Sequence, residues 1–158
     1  MTLLEWRDDF CTGIKGVDFE HEKLIRQINK VYALIGERTE RQQVIDGLGE
    51  IYGSISAHFA LEEQTMKRQQ YSDYAVHKAD HERLLNDICD MTDEYESSLQ
   101  LDEASFAARL AEWFQLHFQT HDARLHSVPA LRAHDTVSTS TLAKLVQHAK
   151  QKLLHRND

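Results

Sequence analysis

Five histidines and two carboxylates stand at spacings suited to holding metal inside a helical bundle: His21; His58 and Glu62 in HFALEE; His77 and His81 in HKADH; His117 and Asp122 in HFQTHD. His58/Glu62 and His77/His81 are four residues apart, so each pair shares one face of a helix. Imidazole and carboxylate together suit iron, copper or zinc, whereas calcium and magnesium favour all-oxygen shells. Seven such donors are too many for one ion and suit two. With 10 histidines in 158 residues, one such pair arises readily by chance. The setting adds weight: Phe59 and Leu61 flank the first pair, and Trp113, Phe114, Leu116 and Phe118 surround His117. A polar cluster in an apolar interior is costly unless it is paired or metal-bound.

The elements that must position these residues are helices. The chain has one proline, Pro129, and little strand-like alternation. A first helix is expected from an N-cap at Asp18 to about Gly36, with Leu24, Ile25, Ile28, Val31, Tyr32 and Ile35 at 3.6 spacing. A second runs from about Thr39 to Met66, carrying Val44, Leu48, Ile51, Ile55, His58, Glu62 and Met66 near one stripe. Its Gly47, Gly49 and Gly53 weaken it and permit close helix approach. A third starts near Ser72 or Asp73 and reaches about Ser98, with His77, His81, Leu84, Leu85, Ile88 and Met91 inward. A fourth follows Leu101-Asp102, with Phe106, Leu110, Trp113, Phe114 and His117 inward. Short loops make neighbours antiparallel. The expected fold is all-α: an up-down-up-down antiparallel four-helix bundle over residues 1–125, with residues 1–17 as an N-terminal arm presenting Trp6, Phe10, Ile14 and Val17. Residues 126–158 form a C-terminal extension with a short amphipathic helix at about 141–154, carrying Leu142, Leu145, Val146, Ala149 and Leu153.

Composition bounds the function. Apolar residues make up 41% and charged residues 28% of the chain, ordinary for one globular domain. No apolar run approaches the ~20 residues that span a bilayer. The start, MTLLEWRDDF, lacks the basic and apolar regions of a secretory signal, so a cytoplasmic location is expected. Cys11 and Cys89 form no CxxC and read as reduced thiols. Residues 1–123 hold 24 acidic and 12 basic side chains, and an acidic body argues against nucleic-acid binding. His21-Glu22 and His81-Glu82 lack the second histidine of a zinc protease's HExxH.

The ordered set of motifs resembles the hemerythrins, in particular the single-domain bacteriohemerythrins. It comprises Trp6, GVDFEHEKLI with His21, HFALEEQTM with His58 and Glu62, YSDYAVHKADH with His77 and His81, and WFQLHFQTHD with His117 and Asp122. The resemblance implies a non-haem di-iron centre that binds dioxygen reversibly. One iron would take His77, His81 and His117 and the other His21 and His58. Glu62, Asp122 and a solvent-derived oxygen would bridge them. The two-His iron then has an open position for dioxygen, with Phe114 a candidate wall of the pocket where relatives often carry Leu. Glu20 stands where the bacterial family commonly has Gln, and is expected to face solvent. His121 is expected to be no ligand, and His126, His134, His148 and His155 to be solvated.

The implied role is oxygen storage, delivery or buffering rather than enzymatic turnover. Oxygen-activating di-iron bundles use Glu-x-x-His pairs, which this chain lacks. The alternatives are a sensor of dioxygen, nitric oxide or redox state, and a peroxide- or nitric-oxide-detoxifying protein. The C-terminal helix is expected to pack on the outside of the bundle, with a protein partner engaged through it as the alternative; a monomer is favoured. The fourth helix poses one geometric problem. His117 and Asp122 are five residues apart, about 140° from eclipsed on an ideal helix. A wide, π-like turn between them would bring both to one centre.

Overall fold

The computed structural model describes residues 2–36, 40–98 and 102–125, together with Lys144, residues 146–148 and Gln151. Four long helices dominate: α1 (Lys15–Gly36), α2 (Arg41–Arg68), α3 (Tyr74–Ser97) and α4 (Glu103–His117). Each packs on its neighbour in the chain, and α4 returns to α1, closing an antiparallel bundle. The apolar stripes read from the sequence meet along the axis. Ile28, Val31, Leu48, Ile51, Ile88 and Leu110 are completely buried. Each such side chain contributes about 1.5–3 kcal/mol over leaving it in water.

Alternating helix direction gathers the site. The N-terminal parts of α1 and α3 and the C-terminal parts of α2 and α4 lie at one end of the bundle. His21, His58/Glu62, His77/His81 and His117 occupy those parts, so the polar cluster forms at that end, and apart from Ser54 and Thr92 the rest of the buried core is apolar. Gly47 lets α1 and α2 approach closely: a Cβ there would stand 2.7 Å from Cγ2 of Val31.

One helix start differs from expectation. α1 begins at Lys15, and Asp18 lies inside its first turn. The Asp18 carboxylate turns back to accept from the Thr12 amide at 2.7 Å and the Thr12 hydroxyl at 2.8 Å. It therefore closes the preceding turn instead of capping the helix. α2 begins at Arg41, and Glu40 before it offers no side-chain cap. At α4, by contrast, the Asp102 side chain accepts from the Ser105 amide. The N-terminal arm is fastened by Asn29, which accepts from the amides of Leu3 and Leu4 at 2.9 Å and donates to the Leu4 carbonyl at 2.8 Å. Phe10, in a short 3-10 turn at Asp8–Phe10, is buried edge-on to Phe114.

The last turns of the bundle are irregular where the spacing of His117 and Asp122 requires it. Phe118–Asp122 is a π-helical segment, followed by one α-turn at Ala123–Leu125. Closing the ring one residue later brings position i+5 back over i. The Thr120 hydroxyl donates to the Leu116 carbonyl at 2.6 Å, satisfying an acceptor within the widened turn. Of the C-terminal helix expected at 141–154, Lys144, Val146, Gln147, His148 and Gln151 are described, each helical. The rest of that segment, and Pro129, His126, His134 and His155, lie outside the described residues. No helix among the described residues is long and apolar enough to cross a membrane. Cys11 is exposed and Cys89 buried, and neither forms a disulfide.

Candidate metal centre

All seven residues singled out by spacing converge. Donor atoms of Glu62, His77, His81, His117 and Asp122 lie within 4.8 Å of one another, and so do those of His21, His58 and Asp122. Every one of these side chains is buried. Leaving such polar groups without partners would cost about 1–3 kcal/mol apiece, a strong pressure toward a bound cation.

The two carboxylates link the groups. Asp122 Oδ2 faces His21 Nε2 and His58 Nε2, both at 3.4 Å, while its Oδ1 faces His77 Nε2 at 3.4 Å and His117 Nε2 at 2.8 Å. Glu62 places Oε1 at 3.6 Å from His58 Nε2, and Oε2 at 3.7 Å from His77 Nε2 and 3.3 Å from His81 Nε2. Each carboxylate therefore offers one oxygen to a two-imidazole group and the other to a three-imidazole group.

The outer ring nitrogens fix the tautomers. His58 Nδ1 donates to Glu20 Oε2 at 2.6 Å, His81 Nδ1 to Glu63 Oε1 at 3.1 Å and His117 Nδ1 to Asp80 Oδ2 at 2.7 Å. His21 Nδ1 points to the Phe10 carbonyl at 3.5 Å. Carboxylates and carbonyls only accept, so Nδ1 carries the hydrogen. Whenever the ring is neutral, Nε2 then presents a lone pair to the interior. The Nε2 atoms of His21, His77, His81 and His117, and Oδ1 of Asp122, make no hydrogen bond despite their burial. At His21, His81 and His117 an inward Nε2 without a donor is backed by an outer acceptor, which is the arrangement of metal-ligating histidines. The donor set fits transition-metal binding.

Electrostatics of the metal-free cluster agree. Burial opposes charging of His58, yet Glu62, Asp122 and Glu20 together raise its pKa well above the ordinary value. Burial likewise opposes charge on His117, but Asp122 and Asp80 push it up to about 9. Burial penalises the Asp122 carboxylate too, and His117, His21 and His58 nevertheless hold its pKa well below the usual range. His21 goes the other way, lowered chiefly by burial. In effect, protons on two imidazoles occupy the electrostatic place of a cation.

Aromatic rings seal the cluster. Phe59 stacks on His81 with centroids 3.8 Å apart, and Phe118 meets His21 edge-on at 4.0 Å. Phe114, completely buried, stacks on Phe118 at 4.2 Å and so stands one ring behind it relative to His21. His121 packs its ring against His77 and His117, is partly exposed and belongs to neither donor group. His148 is exposed.

Glu20 does not face solvent as the sequence suggested. It bridges α1 to α2 because His58 offers it an N–H donor. Glu63 and Asp80 were not singled out. Their signal was adjacency, since Glu20 precedes His21, Glu63 follows Glu62 and Asp80 precedes His81.

The family described as the Hemerythrin HHE cation binding domain matches residues 12–128. The bacteriohemerythrin of Methylococcus capsulatus is 27% identical over 128 residues, covering 77% of this chain and 93% of that protein. The bacteriohemerythrin of Stenotrophomonas maltophilia is 25% identical over 122 residues, covering 77% and 78%. A hemerythrin-like protein of Naegleria gruberi is 22% identical over 123 residues, covering 78% and 91%. No solved structure matches the chain.

Proposed function

We propose, for a chain that belongs to the hemerythrin family, that the cluster holds two iron ions and binds dioxygen reversibly, for storage, delivery or buffering in the cytoplasm. The observation that carries this reading is the orientation of Asp122 and Glu62, each with one oxygen toward each imidazole group. His77, His81 and His117 would serve one ion and His21 and His58 the other. The ion held by two imidazoles would have the smaller protein ligand set and would leave room for an exogenous ligand. When bound, the iron pair supplies the electrons that hold dioxygen.

The protein's own part is to position, to neutralise and to keep dry. Glu20, Glu63 and Asp80 orient three imidazoles. Phe118 and Phe59 exclude water, which favours a bound, uncharged ligand over charge separation in a low dielectric. The π turn would let His117 and Asp122 serve one centre. A sensing role is the second reading. It is favoured by Val146 of the C-terminal helix, which shares a cleft with Glu20, the residue that holds His58.

Purified protein loaded with iron should hold two ions per chain. It should show visible charge-transfer bands that appear with dioxygen and fade on its removal, without a haem band. One tightly held zinc per chain, with no iron-dependent colour, would sink the reading. Ligand-dependent exposure of residues near Val146 would favour sensing, and sustained turnover with a reductant would favour an enzyme.

A further inference from the structure

Three carboxylates back the imidazoles of the centre, and they are not equivalent. Asp80 is already committed to a cation: its Oδ1 accepts from Arg83 at 2.7 and 3.1 Å while Oδ2 holds His117. Glu63 has Lys78 at 4.0 Å from its second oxygen. Glu20 forms the shortest of the three bonds, 2.6 Å to His58 Nδ1, and has no Lys or Arg within ion-pair distance among the described residues. Lys23 and Val146 line the same cleft, whose room for water is about 10 Å³. The Glu20 side chain is only 19% exposed. Its negative charge is thus poorly screened and, apart from His58, has no cation within ion-pair distance among the described residues.

We infer that Glu20 is a positioning residue that fixes the His58 ring and, through its charge, makes His58 the stronger donor toward the two-imidazole half of the centre. This rests on the two-metal reading above. The physical argument has two parts. A hydrogen bond from Nδ1–H to an anion pulls the N–H electrons toward Nε2 and raises the basicity of the lone pair. The same anion, held in a partly dry seam, stabilises the more positive oxidation state of a nearby metal. Orientation needs only an acceptor; charge needs the carboxylate. Glu20→Gln separates the two roles, because an amide oxygen can still accept from Nδ1–H. Glu20→Ala removes both.

The test uses full-length protein. Cobalt(II) is titrated into the metal-free wild type, Glu20→Gln and Glu20→Ala and followed by visible absorption, and iron-loaded samples are then titrated for reduction potential. The wild type should take two cobalt ions. Glu20→Gln should also take two, with affinity close to wild type, and its iron should oxidise less readily, at a higher potential. Glu20→Ala should weaken one of the two cobalt sites by about 10- to 100-fold and spare the other. Wild-type affinity and wild-type potential in both variants would overturn the inference while leaving the two-metal reading intact. A Glu20→Gln protein with unchanged or lowered potential would overturn the charge argument on its own, even if Glu20→Ala folds too poorly to measure. A wild type that takes fewer than two cobalt ions would overturn the underlying reading instead.

Discussion

Loading the proposed centre should expel protons. In the metal-free protein His117 has its pKa pushed up to about 9, burial being outweighed by Asp122 and Asp80. At pH 7 that imidazole is almost wholly protonated, and a cation can use its lone pair only after displacing the proton. Competition lowers apparent affinity at pH 7 by about 100-fold relative to pH above 9 for this residue alone. His58, also raised, acts in the same sense. Zinc titrations followed by calorimetry, in two buffers of different ionisation heat, should therefore register two or more protons released at pH 7. Affinity should climb between pH 6.5 and 8.5. The metal-free fold should show the reverse trend. A histidine whose folded pKa is raised stabilises fully below the unfolded value of 6.5, and that contribution is lost as pH rises through about 9. For His117 the displacement from 6.5 to about 9 corresponds to about 3 kcal/mol. His21, lowered, changes its contribution only below 6.5, and Asp122 only in acid, so neither masks the window. Chemical denaturation of metal-free protein should show stability falling from pH 6.5 to 9. Stability that rises over that range, or metal binding at pH 7 without proton release, would refute the reasoning.

Other perturbations separate the parts of the site. His58→Ala should reduce iron from two per chain toward one in metal analysis, since His77, His81 and His117 are untouched; unchanged iron content would remove His58 from the ligand set. Phe118→Ala should cost about 3–5 kcal/mol in denaturation and speed bleaching of the oxygenated protein, by admitting water beside His21. Gly47→Ala should lower the thermal midpoint through a cost of about 1–3 kcal/mol, because its Cβ meets Val31 Cγ2 at 2.7 Å. It should leave iron content alone, lying about 16 Å along α2 from His58.

The fold was legible from periodicity, and the clustering of the seven residues from i,i+4 pairs together with the resemblance. Apolar stripes at 3.6 spacing fixed four helices, and i,i+4 pairs such as His77/His81 mark one face whatever the tertiary context. Even the π turn could be foreseen, since two residues five apart cannot reach one point from a regular helix. Helix starts were less legible. An Asp such as Asp18 can cap a helix or close the turn before it, and only the position of Thr12 decides. The outer carboxylates were hidden for a different reason: they serve a ligand on another helix.

Their arrangement nevertheless obeys one geometric rule. A residue adjacent to an inward-facing donor is turned about 100° from it and so points into the seam with a neighbouring helix. Stepping back one residue on an up-running helix, or forward one on a down-running helix, turns the same way round the bundle. Glu20 before His21 on α1 reaches His58 on α2; Glu63 after Glu62 on α2 reaches His81 on α3; Asp80 before His81 on α3 reaches His117 on α4. The same step on α4, forward from His117, arrives at Phe118, whose ring lies edge-on to His21 on α1. Three seams therefore carry an acid that orients an imidazole, and the fourth carries a phenyl ring. His21 is left to the weaker backbone acceptor of Phe10, at 3.5 Å. The seam without a carboxylate thus belongs to the two-imidazole half, where a small apolar ligand would need a hydrocarbon wall more than a charge. That asymmetry follows from the identity of one residue beside a donor on each helix, and it joins the sequence to the proposed binding of dioxygen.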